Sequence, residues 1–166
     1  VHMRNLLSAV LLACLVMAGL SGCNKTRITD VPPGVSEKEV QTWYAATGIV
    51  KTIAETARGL TDAVVSVHQS DPELISADDY QKILFALGKS AQAGIHLDAI
   101  LKQSPENFGK GTKEQILAEI QPVIAEIQKA DLEGLFSKNQ SPRIQAELAT
   151  VKTLTKAATL LSQLAL

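Results

Sequence analysis

From Ser36 onward, apolar residues recur at steps of three and four along the chain, a helical period that leaves no segment needing a strand. A helix turns once every 3.6 residues, so this spacing gathers the apolar side chains on one face, which must be buried against another element. Val40, Trp43, Thr47, Val50, Ala54, Ala57, Leu60, Val64 and Val67 form the first stripe. It opens on the capping-box pattern Ser36-x-x-Glu39 and predicts a helix over 37–69. Ser70-Asp71-Pro72 ends it, because proline lacks an amide hydrogen and drives the residue before it out of helical geometry.

Ser76, with Asp79 at the third helical position, opens a second helix whose stripe is Tyr80, Ile83, Leu84, Leu87, Ala91, Gly94, Leu97 and Leu101, ending near Gln103. Asn107 to Gly111 reads as a loop, and Thr112-x-x-Gln115 as the cap of a third helix carrying Ile116, Leu117, Ile120, Val123, Ile124 and Ile127. Pro122 lies inside that helix and predicts a kink or a split there. Ser141-Pro142 supplies an N-cap and a first-turn proline for a fourth helix, with Ile144, Leu148, Val151, Leu154, Ala158, Leu161 and Leu164 on one face. Four amphipathic helices on short connections predict an all-α domain over 36–166, a four-helix antiparallel bundle running up-down-up-down. Aromatic residues are only 4% of a chain that is 46% hydrophobic, so its core must be aliphatic.

The first 22 residues differ in kind. Arg4 makes a short basic start, and Leu6 to Leu20 is an apolar run broken only by Ser8 and Gly19. A membrane span needs about 20 apolar residues, and this shorter run closes in small residues, as export signals do. Leu20-Ser21-Gly22-Cys23 resembles the lipobox of bacterial lipoprotein precursors, which has Leu first, two small residues and then an obligatory Cys. The resemblance implies that Leu20, Ser21 and Gly22 are the signal-peptidase recognition residues, that the leader 1–22 is removed, and that the Cys23 thiol carries a diacylglycerol anchor. An uncleaved signal anchor is the competing interpretation; the shortness of the run and the polar segment after it favour cleavage. Asn24 stands where enteric lipoproteins kept in the inner membrane tend to have Asp, which makes the outer membrane, facing the periplasm, the expected address in a Gram-negative host. Otherwise the expected address is the outer face of the plasma membrane.

Residues 23–35 read as a short flexible tether. Pro32-Pro33-Gly34 disfavours both helix and strand, and at about 3.3 Å per residue the stretch spans at most roughly 40 Å. Lys25 and Arg27 lie beside the lipid, where they meet either anionic headgroups or only solvent. Both cysteines of the chain are accounted for, Cys14 going with the leader and Cys23 being taken by lipid, so the mature domain is expected to hold together by packing alone, without a disulfide. Removing Arg4 with the leader leaves 15 of the 16 basic residues against 17 acidic ones. A surface so nearly neutral exerts no general pull on nucleic acid, and none is expected as a partner.

Catalytic and metal chemistry find little footing. Met3 and Met17 both leave with the leader and no Cys-x-x-Cys-His occurs, which removes covalent haem and His/Met ligation. His68 and His96 lie on different helices, and neither follows an acidic residue at the spacing of a di-iron Glu-x-x-His pair. Each is expected as a polar residue of a helix face. Gly109-Lys110-Gly111-Thr112 has no glycine at the phosphate-loop distance before it and no hydroxyl residue directly after the lysine. Asp78-Asp79 and Asp131-x-Glu133 lack the alternating ligands of a calcium loop and suit helix starts instead. No catalytic residue, metal ligand or cofactor is therefore expected, and the chain does not read as an enzyme.

Two features bear on function. Ala86, Ser90 and Gly94 recur every four residues, and small side chains there either let a neighbouring helix approach closely or leave a groove for a ligand; close packing is the favoured outcome. The stretch Ala157 to Leu166 has no charged side chain, so it is either the most buried helix end or an apolar strip for a partner, with burial favoured. Two functional classes follow. The first is a lipid-tethered, non-catalytic interaction module whose partner is another envelope protein, acting as an assembly, inhibitory or exclusion factor. The second is a carrier of a small apolar ligand or lipid, expected to show a cavity lined by Leu87, Ala91, Gly94, Leu148 and Val151.

Overall fold

The computed structural model describes residues 31–166 apart from 32, 103–109 and 140, and among these it is all-helical, with no strand. The leader, the lipobox Leu20-Ser21-Gly22-Cys23 and most of the tether lie outside the described residues. Helix α1 spans Glu37–Ser70, and its start is built as a capping box: the Ser36 hydroxyl accepts the Glu39 N–H at 3.2 Å, and the Glu39 carboxylate accepts the Ser36 N–H at 2.9 Å. Two of the donors that a helix start leaves unpaired are thereby satisfied. Pro72–Leu74 is a single 3-10 turn, after which α2 runs over Ala77–Leu101, with the Ser76 hydroxyl accepting the Asp79 N–H at 3.1 Å. Helix α3 covers Lys110–Lys129, α4 Leu132–Lys138, α5 Pro142–Gln145 and α6 Leu148–Ala165.

The structure departs from the expected elements in three places. Helix α3 begins at Lys110, so Thr112 lies inside its first turn and is not its N-cap. Of the kink or split expected at Pro122, the split does not occur: the helix runs through it. Pro122 and Ala118, whose carbonyl loses the partner that the proline N–H would have been, are both exposed to water, while buried Ile120 and Val123 hold the helix to the core. The segment after Ala130 holds a helix of its own, α4, which starts where Asp131 adopts the left-handed conformation at φ 46° and its carboxylate accepts the Gly134 N–H at 3.3 Å. Finally, the expected fourth helix is broken. Ser141 makes no side-chain cap bond, α5 is a single turn, and the long helix α6 starts only at Leu148. Just before α5, Asn139 bridges two elements, its amide nitrogen donating to the Leu74 carbonyl at 2.7 Å and its amide oxygen accepting the Ser141 N–H at 2.8 Å.

Helices α1, α2, α3 and α6 are the four long ones, and they pack as a helical bundle: α1 against α2 and α6, α3 against α2 and α6. The face that each turns inward is the one its periodicity marked, with Val50, Ala57, Leu60 and Val64 of α1, Ile83, Leu87 and Leu97 of α2, Ile116 and Ile120 of α3, and Val151, Leu154 and Leu161 of α6 all buried. Burying one such valine, leucine or isoleucine is worth about 1.5–3 kcal/mol, whereas exposed pairs such as Lys51–Glu55 and Lys102–Asp98 contribute roughly 0.3–0.5 kcal/mol each. Apolar packing therefore decides the arrangement.

Three contacts join α1 to α2 along their lengths. The Trp43 indole N–H donates to the Leu101 carbonyl at 3.0 Å, satisfying an acceptor that the end of α2 leaves open. Ala54 touches Gly94, and the His68 and Tyr80 rings stack with centroids 3.9 Å apart.

Candidate functional site

The small residues of α2 serve close packing. Ala86 and Ser90 are buried, and the Ser90 hydroxyl donates to the Ala86 carbonyl at 2.8 Å, so its polarity is absorbed within the helix. At Gly94 a Cβ would stand 2.8 Å from the Ala54 Cβ and 3.2 Å from its Cα. Only a residue without a side chain lets the two backbones come this near. Leu87 and Val151 are fully buried, and Ala91 and Leu148 are half-buried against the same core. The space that a ligand would need beside Gly94 is taken by Ala54.

A cleft of about 200 Å³ lies elsewhere, where the 3-10 turn and the start of α2 meet α4 and α5. Ile75, Ile83, Phe136 and Ile144 are its buried apolar lining; Ser76, Asp79, Lys138 and Asn139 are its polar one. Those polar groups already have partners. The Ser76 hydroxyl donates to the Asp79 carboxylate at 2.8 Å, Lys138 Nζ stands 3.7 Å from the Asp131 carboxylate, and Asn139 is engaged at both ends of its amide. Such a cleft can receive a small apolar group, and its Ser76 and Asp79 also form the N-terminal cap of α2. The sequence reading missed it because it depends on α4 and α5. The available signal was Leu132, Leu135 and Phe136, which stand at helical spacing.

The two histidines are not brought together. His96 Nδ1 lies 3.2 Å from the Glu119 carboxylate, a link from α2 to α3. His68 is half-buried against Tyr80, and its Nδ1 is buried with no hydrogen-bond partner. Among the described residues no three His, Cys, Asp or Glu side chains gather as a metal site would require. Asp131 acts as the cap of α4, and Asp78 and Asp79 lie in the first turn of α2, the place where acidic side chains favour the helix dipole.

At the end of α6, Ala157, Ala158, Leu161 and Ala165 are buried, Leu160 and Leu164 are half-buried, and Leu166 is 85% exposed. Leu161 is thus the inward leucine. Among the described residues, Tyr44, Phe85 and Ile95 are the other large apolar side chains left mainly to solvent. No described helix is long and apolar enough to cross a membrane. In comparisons with known proteins, no family model, no curated protein and no solved structure matches the chain.

Proposed function

We propose that this chain is the precursor of a bacterial lipoprotein, cut before Cys23 and held at an envelope membrane by lipid on that cysteine, with the bundle acting as a non-catalytic protein-interaction module. Leader 1–22, tether 23–35 and bundle 36–166 are its parts. The bundle in this proposal is a four-helix antiparallel one; for α1 and α2 the order of the contacts Trp43 to Leu101, Ala54 to Gly94 and His68 to Tyr80 supports opposite directions. The observation that carries the anchor is Leu20-Ser21-Gly22-Cys23 at the close of the apolar run. The observation that favours an interaction module over a carrier is the contact of Gly94 with Ala54, which fills the interior where a ligand would otherwise lie. Its partner is another envelope protein, met as an assembly, inhibitory or exclusion factor.

The anchor is tested in cells fed labelled fatty acid. Wild-type protein incorporates label and is shortened, while Cys23→Ser remains a full-length, unlabelled precursor. Label in the Cys23→Ser protein overturns the proposal. The carrier reading keeps one observation of its own, the cleft between the start of α2 and α4. Titration of the soluble domain with a fluorescent fatty acid separates the two readings: saturable binding that is lost on Ile83→Trp supports the carrier, and no binding supports the interaction module.

A further inference from the structure

We draw no further inference here: the strongest candidate, the outward face of α2 formed by Phe85, Gly88, Gln92, Ile95 and Ala99, is exposed along its length, and nothing in the structure shows what covers it.

Discussion

Gly94 on α2 meets Ala54 on α1 so closely that a Cβ at position 94 would lie 2.8 Å from the Ala54 Cβ. Two effects oppose each other at this site. Alanine is the better helix former by about 0.8–1 kcal/mol, while overpacking a tight contact costs about 1–3 kcal/mol. The neighbour is a short side chain on a helix backbone and cannot swing away, so the clash prevails. Gly94→Ala is expected to lower stability by about 1–2 kcal/mol in urea unfolding. Gly88 on the same helix has nothing within 4 Å of where its Cβ would stand, and Gly88→Ala is expected to raise stability by about 0.5–1 kcal/mol. Equal responses of the two variants would disprove the close approach of α1 and α2.

Leu161 is fully buried, whereas Leu160 beside it is only half-buried. Leu161→Ala leaves a cavity and is expected to cost about 2–5 kcal/mol; Leu160→Ala gives up less burial and should cost about 1 kcal/mol. Thermal melts of the two single variants check the order. If Leu160→Ala melts earlier than Leu161→Ala, the face of α6 assigned to the core is wrong.

Asp131 and Gly134 together start α4. The Asp131 carboxylate folds over Gly134 so tightly that any Cβ there would collide with it. That carboxylate is exposed and can turn to admit a Cβ, as the caps over Glu39 and Asp79 do, so the cap is tested at the acid itself: Asp131→Ala removes it, and losing a cap costs about 0.5–2 kcal/mol. Asp131→Asn keeps both a residue tolerant of left-handed backbone and a capping oxygen, and should be nearly neutral. Hydrogen exchange reads this locally: the amides of Leu135 and Phe136 should lose protection in Asp131→Ala and keep it in Asp131→Asn. Unchanged protection in both would show that the cap does not hold α4.

The Ser36 hydroxyl, followed by the Ser36 backbone N–H, holds the Glu39 carboxyl below the usual carboxylate range. A carboxyl whose pKa is lower in the folded state contributes stability that is fully present above its unfolded value, about 4.3, and is lost as pH falls through the folded value. Glu39→Gln should accordingly lower the urea midpoint slightly at pH 7 and make no difference near pH 2, the comparison being with wild type at each pH. A difference that persisted at acid pH would assign the effect to shape and not to charge.

The secondary structure of α1 and α2 was legible because each carries a long, clean apolar stripe and a serine cap at its start, and both signals are local. Ser36 with Glu39 and Ser76 with Asp79 hydrogen-bond within one turn, so four residues of sequence determine them. Leu161 could be placed on the stripe of the last helix by the same periodicity, and it is buried. The proposed leader and lipid anchor rest on the sequence alone, on a linear motif of four residues closing an apolar run.

Tertiary structure decided the rest. That Gly94 packs against a helix and does not line a groove depends on Ala54, forty positions away along the chain, and no local pattern encodes that contact. Ser141-Pro142 does start a helix, but α5 ends after one turn and α6 starts only at Leu148, while Asn139 ties the chain just before α5 to the Leu74 carbonyl, a contact that no local pattern encodes. Pro122 stays within a continuous helix in which it and Ala118 are exposed to water while Ile120 and Val123 are buried, which only the packed bundle arranges. Periodicity and caps are set by residues within a turn or two of each other; the choice of partner surface is set by burial of faces far apart in the chain, and there the three-dimensional competition among apolar contacts prevails over local preference.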